Sequence, residues 1–129
     1  MKKNMSIPAL VIISICVLVG CNHAGRFRHG LDVSISESGS SYKMQAYYNR
    51  NKTGAVQRFI NREIQPSGLY QSEDDYFDVH TELSDRTRFY IKSSPGKIII
   101  KINKRENSYA SYMRVKNICE GVANILKNE

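Results

Sequence analysis

The 129-residue sequence predicts an α+β fold: a two-layer sandwich of an antiparallel sheet of about five strands with two helices on one face. Three observations carry this. Five short stretches alternate apolar and polar residues with period two, the signature of half-buried strands. Two longer stretches repeat their apolar residues every three to four positions, as helices with one buried face do. Their order is ββαβββα, with connections suited to antiparallel neighbours.

The first two strands form a hairpin. Leu31, Val33 and Ile35 alternate with Asp32, Ser34 and Ser36, and Tyr42, Met44, Ala46 and Tyr48 alternate with Lys43, Gln45, Tyr47 and Asn49. The turn cluster at 37–41 lies between them. After the polar break at 49–52, Thr53 is the expected cap of a first helix. Val56, Phe59, Ile60 and Ile64 form its buried face, and Gln57, Arg58, Asn61 and Arg62 face away. Pro66 and Gly68 end it.

A long connection, 65–76, follows. Ser72 could cap a helical turn whose Glu73, Asp74 and Asp75 suit the positive end of the helix dipole. At least one of Leu69, Tyr70 and Tyr76 is expected to be buried to hold this connection in place. Three strands come next. Phe77, Val79, Thr81 and Leu83 share one face, followed by Phe89, Ile91 and Ser93, then Ile98, Ile100 and Ile102. Asp85, Arg86 and Thr87 form the first turn, and Pro95-Gly96 the second, with glycine free to take positive φ in a type II turn. The last helix runs from about Ser108 to Leu126, with Tyr112, Val115, Ile118, Cys119, Val122, Ile125 and Leu126 turned inward.

Facing buried residues to buried residues pairs Leu83 with Phe89 and Ile91 with Ile100. The opposite face then carries the rows His80–Lys92–Ile99, Glu82–Tyr90–Lys101 and Ser84–Arg88–Asn103. Tyr47, His80, Tyr90, Lys92, Ile99 and Lys101 make up a candidate binding face, apolar and aromatic groups ringed by charge. Complementary cross-strand pairs on a solvated face account for the same pattern.

The amino terminus is of another kind. A positive start, Lys2 and Lys3, precedes an apolar run at 7–19, interrupted only by Pro8 and Ser14. The run is too short for a stable membrane span and has the length of an export-signal core. It ends in Leu18-Val19-Gly20-Cys21, which resembles the lipobox of bacterial lipoproteins. The resemblance covers residues 1–21 only. It implies cleavage before Cys21, diacylglycerol on the Cys21 thiol and acylation, for example palmitoylation, of the new amino group. Two or more chains give stable anchoring where one does not. Asn22, in place of an aspartate, points to the outer rather than the inner membrane in lipoproteins of enterobacterial type. The domains expected are a signal peptide at 1–20, a lipidated cysteine and tether at 21–30, and one folded domain at 31–129. Residues 22–30 could span about 30 Å, which keeps the domain near the membrane.

A composition 41% hydrophobic and 24% charged is that of a folded domain, not a disordered chain. The formal charge is +7, of which about +5 stays after the signal leaves. For an exported chain this favours anionic lipid or envelope glycan over nucleic acid. Cys16 leaves with the signal and Cys21 is lipidated, so Cys119 has no partner for an intramolecular disulfide.

The catalytic and metal signals are thin. Asp78, His80 and Glu82 share one strand face, but the expected neighbour of His80 is Lys92, which disfavours a cation there. The acidic 73–75 run with Asp78 lacks the alternating ligands and glycine of a calcium loop. Cys119 lies on an apolar helix face, away from any base. No phosphate loop, serine elbow or zinc motif is present. No cofactor or metal is expected. The leading expectation is a lipid-anchored envelope domain, a non-enzymatic binding or accessory module whose partner is the membrane through its anchor and a protein or anionic glycan beyond it. The alternatives are a small envelope hydrolase and a structural subunit of an envelope complex.

Overall fold

The computed structural model describes residues 30–66 and 76–128. The expected signal, lipidated Cys21 and tether up to residue 29 lie outside the described residues, as does the connection at 67–75. No helix among the described residues is long and apolar enough to cross a membrane.

Five strands, β1 (Asp32–Glu37), β2 (Ser41–Tyr47), β3 (Phe77–Glu82), β4 (Arg88–Ser94) and β5 (Lys97–Asn103), form one open antiparallel sheet. Its order is β1-β2-β5-β4-β3, so β5 is central and β1 and β3 are the edges. Helices α1 (Thr53–Glu63) and α2 (Tyr109–Lys127) complete the α+β sandwich. The inward residues of β5, Ile98, Ile100 and Ile102, are fully buried. They sit in one cluster with Met44 and Ala46 of β2, Phe89 and Ile91 of β4, Val56 and Ile60 of α1, and Val115, Cys119 and Val122 of α2. Each buried Ile, Val, Met or Phe of this cluster contributes about 1.5–3 kcal/mol by leaving water. Cys119 is a free, buried thiol, and burial raises its pKa far above that of an exposed cysteine.

The helices run antiparallel, and polar ties fasten both ends. Lys52, just before α1, donates from Nζ to the carbonyls of Ile125 (3.3 Å) and Asn128 (2.8 Å). A cation there satisfies acceptors left over at the end of α2 and opposes its dipole. At the other end Arg114 of α2 bonds the carbonyl of Glu63 (3.0 Å) and the carboxylate of Asp85 (2.7 Å). Between these ties the helices meet at Gly121: a Cβ there would lie 2.2 Å from Cζ of Phe59. Ser108 caps α2, accepting from the amide of Ser111.

Two local expectations need correction. Thr53 does not cap α1. It is the first helical residue, and its hydroxyl accepts instead from the amide of Gly96 in the β4–β5 turn (3.1 Å). The chain enters α1 through a 3₁₀ turn at Arg50–Lys52, capped by Asn49. Gln57 does not face solvent: it is only 3% exposed, inside the layer that α1 shares with the sheet. Of the three residues expected to hold the 65–76 connection, Tyr76 is 74% exposed, and Leu69 and Tyr70 lie outside the described residues. The Pro95-Gly96 turn is as expected. Gly96 has φ +82°, and a Cβ would also stand 3.0 Å from the Tyr48 carbonyl oxygen.

The β3–β4 register is displaced. Phe89 faces Thr81 rather than Leu83, and Glu82 faces Arg88. The turn residues are Ser84, Asp85 and Arg86, one position earlier than expected, with Leu83 donating to the Thr87 carbonyl (2.8 Å). Arg86 takes φ +73°, as the last residue of a three-residue hairpin loop does. Asp85 accepts from the Thr87 amide (3.0 Å), which closes the turn before Thr87. Thr87 is thereby released into the core, where its hydroxyl donates to Ser111 (2.8 Å). The slip is an even number of residues, so every side chain keeps its face.

Gly121→Val is expected to destabilise the domain by about 1–3 kcal/mol, since it drives a branched side chain into Phe59 at the helix crossing. Denaturant unfolding of Gly121→Val, Phe59→Ala and the double variant should show a favourable coupling between the two sites.

Candidate functional site

Because both helices cover one side, the other side of the sheet carries no layer among the described residues. Reading across the strands, Ser34, Gln45, Ile99, Lys92 and Asp78 lie in one row. The next row is Ser36, Lys43, Lys101, Tyr90 and His80. Tyr47 opposes Lys97, with Asp32 beyond it. The structure thus brings Tyr47, His80, Tyr90, Lys92, Ile99 and Lys101 onto one surface. Tyr47, Tyr90 and Ile99 are half-buried among their neighbours, and His80, Lys92 and Lys101 are exposed.

Within that surface the displaced β3 register changes the partners. His80 is opposite Tyr90 instead of Lys92, with ring centroids 5.0 Å apart and planes inclined by 47°. Lys92 is opposite Asp78. Tyr90 is opposite His80 and Lys101, and Glu82 no longer pairs with it. The expected contact of Arg88 with Asn103 is replaced: the Asn107 side chain accepts from the Arg88 amide (2.9 Å) and donates to its carbonyl (3.0 Å). The sequence argument that a lysine beside His80 disfavours a metal therefore lapses. Among the described residues, no three His, Cys, Asp or Glu side chains come together as a metal site.

The polar contacts of the face are local. Tyr90 donates its hydroxyl to Asp78 (2.8 Å), and this bond holds the Tyr90 hydroxyl protonated beyond its ordinary range. Gln45 donates to the Tyr47 hydroxyl (2.9 Å), and the Lys97 ammonium sits 5.3 Å from the Tyr47 ring centroid. Glu82 and Arg88 approach to 3.7 Å. In contrast, Lys43 and Lys101 stand directly opposite each other, with neither in an ion pair among the described residues. Like charges so placed destabilise a sheet. At the Tyr90 end the surface sinks into a concavity of about 630 Å³, whose charged and aromatic border is His80, Glu82, Arg88, Tyr90, Lys101 and Glu106.

A second polar cluster lies on the helix side. Glu37, at the end of β1, accepts from Lys104 (2.8 Å) and from the Tyr112 hydroxyl of α2. Lys104 and Lys116 also approach the Tyr112 ring. Here each charge has a partner, and the cluster ties the β1 edge to the start of α2. It was not foreseen, because its members come from three separate segments.

Comparison with known protein families, curated proteins and solved structures finds no match to this chain.

The helix-side cluster sets a pH dependence. Hydrogen bonding from Lys104, then from Tyr112, holds the Glu37 carboxyl below its ordinary 4.5. Hydrogen bonding from Thr87 and the Arg114 guanidinium hold Asp85 below 3.8. A carboxyl with a depressed folded-state pKa stabilises the fold above its ordinary pKa and loses that contribution as pH falls through the depressed value. Thermal stability is expected to decline as pH drops below 4.5. Glu37→Gln should be less stable than the parent at neutral pH, the difference narrowing in acid, as measured by melting curves across that window.

Proposed function

We propose that this chain is a lipid-anchored domain of the bacterial envelope, at the outer membrane by the Asn22 criterion, that works as a non-enzymatic binding module through its outer sheet face. The observation that carries the binding reading is the composition of that face. Tyr47, Tyr90 and Ile99 lie half-buried at its centre, and five cations, Lys43, Arg88, Lys92, Lys97 and Lys101, surround them against four carboxylates, Asp32, Asp78, Glu82 and Glu106. A core of aromatic and aliphatic groups within a polar rim is the anatomy of a recognition surface. The anchoring reading is supported by the lipobox-like Leu18-Val19-Gly20-Cys21 after its short apolar run. A tether of nine residues from Asn22 reaches about 30 Å when fully extended, which keeps the domain near the membrane.

The two parts are tested separately. Cells fed a clickable fatty acid should label the protein, and Cys21→Ser should abolish the label; an unlabelled wild type contradicts the anchor. For the face, Tyr47, Tyr90 and Ile99 are replaced together by Ser, and crosslinked partners are captured from native envelopes. Capture should be lost at a melting temperature within a few degrees of the parent. Retained capture contradicts the reading, and so does a collapse in stability, because it would make these residues core.

A further inference from the structure

We infer that the ligand of the outer face is an anionic, carboxylate-bearing glycan, seated across Lys43 and Lys101 with a sugar ring against Tyr90 and His80. The inference rests on the reading of this face as a binding surface and specifies its partner. Three features converge. First, Lys43 and Lys101 oppose each other on neighbouring strands with no carboxylate in their row. Such a pair costs stability in the free protein, and an anion laid between the two ammonium groups relieves it.

Second, the same row continues into Tyr90 and His80, whose rings lie 5.0 Å apart beside the concavity of about 630 Å³. That volume falls within the range of small-ligand sites and accommodates a few sugar rings, whose C–H faces pack on aromatic rings. Third, Glu82 and Glu106 border the concavity, and Asp78 holds the Tyr90 hydroxyl. Sugar hydroxyls are donors for such carboxylates. A bilayer surface is broad and flat and would leave the concavity unfilled. An acidic peptide would satisfy the lysines, but its backbone pairs with strand edges rather than with a face of side chains.

The test uses the full chain in neutral detergent micelles, titrated with oligogalacturonate and followed by calorimetry and amide chemical shifts. Saturable binding is expected, with shifts centred on β4 and β5, weakening as salt rises. Lys43→Gln with Lys101→Gln should weaken it about tenfold, as should Tyr90→Ala. The double lysine variant should melt no lower than the parent, since the opposed charges are removed. A lower melting temperature would show that the pair is not held against repulsion and would overturn the inference. Equal binding of neutral dextran or of polyglutamate overturns it too, since one dispenses with the charge and the other with the ring. Absence of saturable oligogalacturonate binding, with the same residues shifted by phosphatidylglycerol added to the micelles, assigns the face to lipid and overturns it. If the glycan fails but the triple serine variant still loses envelope capture, the binding face stands and only the ligand class falls. If capture also persists, both fall.

Discussion

Burial of three alternate isoleucines on the central strand is the interaction on which the rest of the structure depends. Ile98, Ile100 and Ile102 of β5 face the helices and are almost wholly removed from water. Strand geometry then sends Lys97, Ile99, Lys101 and Asn103 to the other side. Because β5 pairs with both β2 and β4, its facing sets theirs. Two helices suffice to cover the middle of the sheet but not its edges, where Ile35 is 45% and Val79 36% exposed. The ties of Lys52 and Arg114 and the close approach at Gly121 make that cover close-fitting.

The division of labour between faces follows. Residues on the helix side are held by packing, and Thr87 and Glu37 there are paired, with Ser111 and Lys104. Residues on the outer side contribute little to that packing, so their identities are free to answer other demands. A lysine pair placed in opposition, in the same row as the tyrosine–histidine contact beside the concavity, is a choice that stability alone does not favour. Such departures from local preference are where function is expected to sit.

Period-two and period-3.6 patterns were enough to read the element order, the facing of every strand and the buried stripe of α2, because burial imposes those periods directly. The outer surface was legible for the same reason: once Ile98, Ile100 and Ile102 are inside, Lys101 is outside. What escaped was set by hydrogen bonds between distant segments or by turn detail. The β3–β4 slip turned on Asp85 accepting from Thr87, a short-range Asp-x-Thr signal that was present but outweighed by pairing apolar residues. Thr53 looked like a cap by type, but its hydroxyl was claimed by Gly96 across the sandwich. Gln57 lay on the polar stripe of an isolated helix, yet packing buries it. Gly121 carried no local signal, since only the position of Phe59 makes its lack of a side chain matter.

The central claim is that the outer face is open in the free protein and occupied in the envelope. Lysine footprinting with a small amine-acylating reagent, on purified protein and on intact envelopes, tests it most directly. The account predicts that Lys43, Lys92 and Lys101 react freely in the purified chain and are protected in the envelope, while the exposed Lys127 at the end of α2 reacts alike in both. Equal reactivity of the face lysines in the two settings would contradict it.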